Sequence, residues 1–547
     1  MATASEFGKI NHRATLASLV LLMAVTTVRL SLINRPFVAN GEGTACSTVL
    51  MPARNYVRYG PSLFSGVLNS GLVPPERRVI YAHHPMLVPL LIAAVQAAGG
   101  FSEWTARAVP TLFSIASTLL LFIMINHRFG WRAAFLAGTL YAFCPMTLLY
   151  GGMPDYLNSQ LVFFGLACIE SYARWRETQQ KCWLVALVIC FVFGALTDWP
   201  IYYLVPLLAA HAVFIRPRVG LVRLLPFLVG AIAVFLAVTW QITVAGGDSF
   251  LLKSLAHRSL GNPDFSSRPL TVGLWISWVI FHTHGLLHTW PILVFAGLYV
   301  LVSGQRVVTR QWDHLPNHRA PLLVFLWGAL HVGIGLQGNF QHEWSNVLMT
   351  PGLAVAAALG IEIVLGAIRD ELRRPALQLA TLGLICFLTY SAAATVRYIK
   401  AQYHGAEYYD YTLKELGTTI RGISREEDGV LTSDVNDWTR MIAEPPLWYY
   451  ADRQLRPAVT TVEQLNQSLC SGPYILFYGY VQPEGPAPRW FVMPSSHREL
   501  LKPLGAALDA RFQSRQAIGF VVYELNSPRV VKKLVPLANQ PNDKPLE

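Results

Sequence analysis

Long apolar runs separated by short polar connections make up most of the first 400 residues of the chain. About 20 apolar residues in a helix cross a hydrocarbon core roughly 30 Å thick, so such runs predict membrane-spanning helices. We predict an all-α polytopic membrane domain with about 11–13 transmembrane helices. The eleven clearest spans are residues 14–33, 108–126, 133–150, 158–173, 183–197, 201–215, 222–243, 286–303, 320–336, 345–367 and 376–397.

Two shorter apolar segments are not counted as spans. Residues 86–100 are too short to cross comfortably, and as a span they would move the loop with Arg128 and Arg132 to the opposite face. We therefore predict a juxtamembrane helix within a long first loop, residues 34–107. Residues 270–284, apolar but interrupted by histidines, are predicted to lie in a loop in the same way.

The last third of the chain has a different pattern. It has no run long enough to cross a membrane, and segments 429–433, 473–481 and 518–525 are rich in the β-branched and aromatic residues typical of strands. Segments 409–422, 461–468 and 496–506 read as helices. The sequence therefore predicts a small α/β domain at 400–535 after the membrane domain at 1–399, with a flexible tail at 536–547.

Loop charge predicts which way the spans run. Basic loops occur at every second connection, and basic loops stay in the cytoplasm. An odd number of spans then places residue 398 onward outside, so the α/β domain is predicted to be extracytoplasmic. The basic loops are residues 127–132, 174–181, 216–223, 306–319 and 369–374.

Composition supports a membrane protein and weakens one competing class. The chain is 53% hydrophobic and 14% charged, whereas soluble domains have about 25% charged residues. The net charge of +11 would indicate nucleic-acid binding in a soluble protein. Here most of the excess lies in the short basic loops, so we predict no nucleic-acid partner.

The candidate chemical groups lie at the predicted outer ends of the spans. Asp155 follows Gly151-Gly-Met-Pro in a short turn, where it is either a helix N-cap or a metal or substrate ligand. Asp198, in Asp-Trp-Pro, is either a helix corner or a substrate contact. Glu42 lies in a glycine-rich turn, where a lone carboxylate is commonly just solvated.

A second set of polar residues suits phosphate binding. His83 and His84 precede the juxtamembrane segment and bind phosphate when charged or a metal when neutral, or else form the polar start of an interfacial helix. The other members are either phosphate contacts or a solvated face. They are Lys253, His257, Arg258, His342 and Glu343.

The order of several segments resembles the GT-C superfamily of polyprenyl-phosphate-dependent glycosyltransferases. The most similar branch contains the protein O-mannosyltransferases and the aminoarabinose lipid A transferases. The resemblance covers roughly the first 350 residues. Its segments are Ala53–Gly60, His83–Leu91, Phe101–Pro110, Arg128–Ala134, Pro145–Asp155, Asp198-Trp199 and His342–Pro351.

The resemblance implies a reaction at the outer face of the cytoplasmic (inner) membrane of a cell envelope, facing the periplasm. A sugar would pass from a polyprenyl-phosphate donor to a lipid, glycan or protein acceptor in a single displacement, which would invert the anomeric centre. Asp155 matches the family's second acidic position. At the first position the family has Asp-Glu, whereas this chain has Ala45-Cys46, and Glu42 is the nearest carboxylate.

The resemblance also implies roles for the candidate residues. Glu42 and Asp155 become the catalytic carboxylates, and Arg54, His84 and Arg258 become contacts to the donor phosphate. Asp155 and His84 are candidate ligands for Mg²⁺ or Mn²⁺. Two alternatives stay open: a transporter or flippase of lipid-linked glycan, and a catalytically inactive GT-C-like binding protein, which the missing Asp-Glu pair would favour.

Overall fold

We analysed the chain as a computed structural model. The structure describes residues 12–38, 41–60, 66–73, 75, 78–81, 84–215, 220–246, 271–309, 316–368, 373–404, 412–433, 445–469, 474–475, 481–482, 487–517 and 519–528. The predicted tail at 536–547 lies outside them. The chain divides into two compact units, Met1–Leu68 with Ile80–Gly405 and Asn69–Val79 with Ala406–Glu547.

The first unit is helical, and the predicted spans fall on its helices, except that span 133–150 is divided into two helices, Trp131–Phe143 and Pro145–Tyr150. Its main helices in chain order are α1 His12–Ser31, α2 Gly41–Tyr59, α3 Leu87–Gly99, α4 Glu103–Phe129, α5 Trp131–Phe143, α6 Pro145–Tyr150, α7 Ser159–Thr178, α8 Lys181–Ala195, α9 Leu204–Phe214, α10 Leu225–Gly246, α11 Val272–Trp275, α12 Trp290–Val308, α13 Arg319–Ile334, α14 Leu336–Gln341, α15 Thr350–Ala367 and α16 Arg373–His404. Within the described residues, six helices are long and apolar enough to cross a membrane. The protein is a multi-pass membrane protein.

The two short apolar segments have different outcomes. Residues 86–100 form α3, which has only 13 residues and at 1.5 Å per residue is about 20 Å long. Residues 270–284 do not form a separate loop helix. They belong to a continuous helical run in which α11, a π-helix at Ile276–Thr289 and α12 follow one another, because the histidines do not break the helix.

Small residues let α15 sit at the centre of the first unit. It packs against α5, α12 and α13, and its first eleven residues are all buried. A Cβ added to Gly360 would lie 2.1 Å from the carbonyl oxygen of Phe295. The helices therefore approach to backbone contact, as small residues permit in membrane interiors.

The second unit contains a five-stranded mixed sheet. Its strand order is β4-β3-β7-β9-β8, with β3 parallel to β4 and β7, and with β9 antiparallel to β7 and β8. Helices of this unit pack with the sheet around a core that includes Leu431, Phe491 and Tyr523. Its elements are α17 Leu413–Ile423, β3 Gly429–Thr432, α18 Pro445–Ala451, β4 Gln454–Leu455, α19 Val462–Ser468, β5 Tyr474–Ile475, β6 Val481–Gln482, β7 Pro488–Pro494, α20 Ser495–Leu500, α21 Lys502–Arg511, β8 Phe512–Ala517 and β9 Phe520–Pro528.

Three strands of this sheet, β4, β7 and β8, have no counterpart among the predicted elements. β8 is mostly exposed and polar, so it lacks the alternation that marks a half-buried strand. β7 is buried along nearly its whole length and is bounded by prolines. The predicted strand at 473–481 is instead a short antiparallel hairpin of β5 and β6.

A piece of the first loop belongs to the second unit. It lies between two paired strands of the first unit, β1 Gly66–Val67 and β2 Ile80–Tyr81. Within the second unit, Leu72 donates its backbone N–H to Glu426 O at 3.1 Å and accepts a bond from Gln454 Nε2 at 2.5 Å. Gly71 donates to Asp452 Oδ1 at 3.3 Å. Residues 69–79 are therefore built into this unit by backbone hydrogen bonds.

Gly71 provides a test of this attachment. Its φ is +71°, and an added Cβ would lie 2.7 Å from Glu426 O, so Gly71→Ala combines left-handed strain with a backbone clash. We expect it to increase amide hydrogen exchange at residues 71 and 72, whose N–H groups donate to Asp452 and Glu426, and to expose residues 69–79 to protease. Gly519→Ala is the matched control, because Gly519 has φ +77° with no atom within 4 Å. Equal effects of the two variants would contradict the attachment.

Candidate active site

A buried histidine–aspartate pair forms the centre of the candidate site. His84 Nδ1 lies 2.8 Å from Asp198 Oδ1, and both side chains are buried. Asp198 also accepts the backbone N–H of Trp199 at 2.8 Å, so it caps the short helix that follows. The N–H of Leu87 donates to Leu196 O at 3.2 Å, which ties the start of α3 to the end of α8. Asp198 thus occupies the predicted helix corner, and its role as a substrate contact stays a prediction.

Aromatic rings fix the orientation of this histidine. The His84 ring stacks on Tyr156 with centroids 4.5 Å apart and an interplanar angle of 9°, and Tyr81 stacks against Tyr156 at 6.1 Å. Burial raises the pKa of Tyr156 well above that of a free phenol, and the carboxylates of Asp155 and Asp198 add to the rise. Tyr156 therefore stays protonated, and Asp155 and Asp198 lie in the same electrostatic environment.

The turn that carries Asp155 is held by hydrogen bonds to its own backbone. Asn158 Nδ2 donates to Tyr150 O at 2.5 Å, and Ser159 Oγ donates to Gly151 O at 2.7 Å. Asn158, rather than Asp155, is the N-cap residue of α7. The buried carboxylate of Asp155 is therefore not used as the cap that its sequence position suggested.

Three arginines hold the backbone just before this turn. Each donates to a carbonyl at or after the end of α6, where helical carbonyls lack partners. The bonds are Arg29 Nη1 to Leu148 O at 3.3 Å, Arg35 Nη2 to Leu149 O at 3.1 Å and Arg107 Nη1 to Gly152 O at 3.3 Å. Cations near a helix C-terminus also interact favourably with its dipole. We call these three residues the arginine clamp.

A second acidic group lies against the same helix end. Glu343 Oε1 accepts hydrogen bonds from the hydroxyls of Tyr150 and Tyr398, and these two hydroxyls are 3.0 Å apart. The neighbouring His342 ring lies 4.8 Å from that of Trp344. Because Tyr150 ends α6, Glu343 is linked to the element that leads into the Asp155 turn.

Helix α2 contributes a buried cation and a buried phenol. The Arg54 side chain is 1% exposed, and its guanidinium lies 4.8 Å above the ring of Phe101. Tyr56 Oη is buried without a hydrogen-bond partner among the residues that the structure describes. Burial raises the pKa of Tyr56, so its hydroxyl remains a donor.

An apolar cavity of about 1150 Å³ lies among α5, α12, α15 and α16. Arg132 and Glu362 are its charged lining residues. Helix α16 lines the cavity from Leu377 to Tyr390, and Tyr398 of the same helix contacts Glu343 eight residues further on. At 1.5 Å per residue this is about 12 Å.

Several predicted site residues lie outside the description. They are His83, Lys253, His257, Arg258 and the side chain of Glu42, whose backbone belongs to α2. Within the described part of the chain no group of three His, Cys, Asp or Glu side chains converges to hold a metal. Asp155 and His84 alone therefore do not make up a metal site, and we derive no step through a metal.

Comparisons with known proteins agree with this architecture. The model of the family dolichyl-phosphate-mannose-protein mannosyltransferase matches residues 83–242. No curated protein matches the sequence. The structure of ArnT from Cupriavidus metallidurans bound to undecaprenyl phosphate superposes with a TM-score of 0.60 at 13% identity, over 96% of this chain and 99% of ArnT. The chain has a GT-C fold.

The oligosaccharyltransferase of Archaeoglobus fulgidus is also similar. Its apo form gives a TM-score of 0.51 at 13% identity over 95% of this chain and 75% of that one. Its complex with Zn and sulfate gives a TM-score of 0.50 at 13% identity, over 92% of this chain and 73% of that one. Since ArnT and this enzyme are GT-C glycosyltransferases, the predicted resemblance to that superfamily is confirmed, at the level of the fold.

The sequence interpretation missed the arginine clamp and the site tyrosines, which are Tyr56, Tyr150, Tyr156 and Tyr398. One signal for the clamp was present. In the predicted topology Arg29, Arg35 and Arg107 lie at outer ends of spans, where the positive-inside rule makes basic residues uncommon. The tyrosines gave no comparable signal, because a single aromatic residue in an apolar helix is usually a core or interface residue.

Adjacent glycines test whether the clamp needs its close packing. A Cβ at Gly151 would lie 2.6 Å from Thr147 O and 2.7 Å from Arg29 Nη2, whereas at Gly152 the nearest atom, Thr111 Oγ1, is 3.1 Å away. We expect Gly151→Ala to displace Arg29 and to lower the Tm of the purified protein by several degrees, since overpacking costs about 1–3 kcal/mol. Gly152→Ala should have a smaller effect. A Tm for Gly151→Ala at or above that of Gly152→Ala would contradict this packing.

Proposed function

We propose that this protein is a membrane glycosyltransferase that moves a sugar from a polyprenyl-phosphate donor to a lipid, glycan or protein acceptor. The observation that carries the proposal is the convergence of Asp155, Asp198 and His84 at one end of a GT-C membrane unit. Ionisable side chains inside membrane proteins are uncommon and mark functional sites, and Asp155 is buried without serving as the N-cap of α7. The bound lipid of ArnT supports a donor of this class.

The transfer is a single displacement. The acceptor O–H or N–H loses its proton to a carboxylate while its lone pair attacks the anomeric carbon, and the bond from that carbon to the phosphate oxygen breaks. The electron pair leaves with the polyprenyl phosphate, and the anomeric centre inverts. We assign Asp155 to the site of proton removal, with Glu42 as the second carboxylate that the family pattern implies.

Positive charge at the leaving phosphate lowers the barrier to this step. Asp198 Oδ1 lies 2.8 Å from His84 Nδ1 and orients the imidazole ring. Arg54 is buried on α2 in the same unit and offers a forked donor suited to phosphate. We propose both as phosphate contacts, together with His83, Lys253, His257 and Arg258.

The apolar cavity suits the isoprenoid part of the donor. Its lining is almost wholly hydrocarbon, and α16 leads from it to Tyr398, Glu343 and Tyr150. We propose that the prenyl chain lies against α16 and that His342 and Glu343 contact the substrate near its head group. Tyr150 joins Glu343 to the helix that precedes Asp155.

Cofactor and location are also proposals. A Mg²⁺ or Mn²⁺ ion would need ligands beyond Asp155 and His84, from the donor phosphate or from Glu42, and the Zn and sulfate complex is a property of the archaeal enzyme. We place the protein in the cytoplasmic membrane with its second unit outside. The first-loop segment 69–79 supports this, since a loop and the unit that it helps to build share one side of a membrane.

The carboxylate of Asp155 is the sharpest test of activity. Asp155→Asn keeps the size and hydrogen-bonding capacity of the side chain but removes the charge and the base. With a polyprenyl-phosphate sugar and an acceptor extract, we expect release of polyprenyl phosphate to fall by about 100-fold or more, in line with loss of a general base. Thin-layer or mass-spectrometric detection of the released lipid measures this.

The control for this test is Glu426→Gln, which removes the charge of an exposed carboxylate of the second unit. It should leave release unchanged. Full turnover by Asp155→Asn would remove Asp155 from the proposed chemistry. Movement of intact lipid-linked sugar across a membrane, without cleavage by the wild-type protein, would favour the transporter alternative.

Reporter fusions test the proposed orientation. Alkaline phosphatase is active only outside the cytoplasm, so a fusion after residue 528 should be active, whereas a fusion within the basic loop 174–181 should be inactive. Fluorescent-protein fusions at the same positions should show the opposite pattern. An inactive phosphatase at residue 528 would contradict the proposed placement of the second unit.

A further inference from the structure

A second cavity, which is polar, lies at the end of the membrane unit opposite the candidate active site. Helix α7 begins next to the Asp155 turn and reaches Glu177, which lines this cavity, 18 residues later. At 1.5 Å per residue the two ends are about 27 Å apart. The cavity has a volume of about 120 Å³, several times the ~10–15 Å³ that one water molecule needs.

The charge of the lining is strongly positive. Three guanidinium groups, those of Arg128, Arg176 and Arg319, line the cavity together with one carboxylate, that of Glu177. Arg128 and Arg176 are buried. Glu177 is partly exposed and lies 3.2 Å from Arg128 Nη2, and Glu170 lies 2.6 Å from Arg128 Nη1, so both carboxylates pair with the same cation.

A hydrogen-bond relay adds a buried donor. Arg176 Nη1 donates to the hydroxyl of Tyr172 at 3.1 Å, and that hydroxyl lies 2.8 Å from His211 Nδ1 but 3.3 Å from Leu208 O. When the hydroxyl donates to Nδ1, the imidazole carries its hydrogen on Nε2. A phosphate oxygen that accepts from Nε2 favours this tautomer.

His211 Nε2 is buried and has no hydrogen-bond partner in the described part of the chain. An N–H group buried without an acceptor costs about 1–3 kcal/mol. The guanidinium groups around it are donors only. The lining therefore combines three guanidinium groups with one carboxylate that is already paired, which is an arrangement that suits an anionic oxygen ligand.

Arg319 adds a further favourable feature. It is the first residue of α13, a helix of 16 residues, so the cavity also borders a helix N-terminus, where backbone N–H groups and the helix dipole favour negative charge. Asn317, just before it, lines the same cavity and donates to Arg128 O at 3.4 Å.

We propose that this cavity, lined by Arg128, Arg176, His211 and Arg319, binds a phosphate group at the membrane face opposite the candidate active site. The phosphate can belong to free inorganic phosphate or to the head group of an anionic phospholipid. Basic pockets between membrane helices bind such head groups in other proteins. The proposal does not depend on the glycosyltransferase assignment.

Two probes distinguish the sources of the phosphate. The full chain in phosphatidylcholine nanodiscs is titrated with inorganic phosphate at constant ionic strength, with the Tm and heat of binding as readouts. Parallel nanodiscs that also contain phosphatidylglycerol are analysed by native mass spectrometry for retained lipid. A phosphate response identifies a free-anion site, and retention of phosphatidylglycerol alone identifies a head-group site.

Arg176→Gln and Arg319→Gln should weaken the response to the effective probe by about tenfold or more, as expected for a lost charge-assisted bond. Arg319→Lys, which keeps the charge, should recover part of it. Arg223→Gln is the matched control, because Arg223 is exposed and donates to Gln179 Oε1 at 3.1 Å. If Arg176→Gln fails to fold, the comparison of Arg319→Gln with Arg319→Lys and the titration of the wild type still test the proposal. No response of the wild type to either probe, or equal responses of Arg319→Gln and Arg223→Gln, would overturn the proposal.

Discussion

The carbonyl groups that end α6 impose the constraint on which the candidate site depends. Lipid offers no hydrogen bonds, so a helix that stops within a membrane protein must find donors for its last carbonyls inside the protein. Arg29, Arg35 and Arg107 supply those donors. The guanidinium group suits this task because it carries five donors in a rigid fork and is less strongly hydrated than an ammonium group.

Several features of the site follow from the position of this helix end. Tyr150, the last residue of α6, contacts Glu343 through its hydroxyl, and its carbonyl accepts from Asn158. The backbone of the Asp155 turn is thus fixed from both sides before any substrate arrives. Preorganised groups of this kind are effective in catalysis, because little reorganisation remains for the reaction step.

The spans could be predicted because membrane thickness imposes one length on all of them. Nothing comparable constrains the soluble unit, and its polar edge strand β8 shows no alternation in Phe512–Ala517. The attachment of residues 69–79 was also hidden, since it rests on backbone bonds such as Leu72 N–H to Glu426 O, which are independent of side-chain type. Local patterns therefore predicted the elements but not the long-range pairing between them.

The candidate site could be predicted where a single residue was polar or charged and lay at the end of an apolar span. His84 and Asp198 could be selected singly as polar groups at span ends, but their 2.8 Å contact depends on how α3 meets α8. Of the two roles left open for Asp155, the N-cap is excluded, because Asn158 occupies that position.

Helix α7 has a similar electrostatic problem at each of its ends. Near its start the arginine clamp brings buried cations against backbone carbonyls, and near its end Arg128 and Arg176 are buried around the second cavity. Carbonyls, with their partial charge, satisfy the hydrogen bonds of a cation but leave its full charge only weakly compensated. At the second cavity Glu170 and Glu177 offset part of that charge. We propose an anion at both ends of the membrane unit, and Asp155, beside the clamp, as the group that takes a proton at the first.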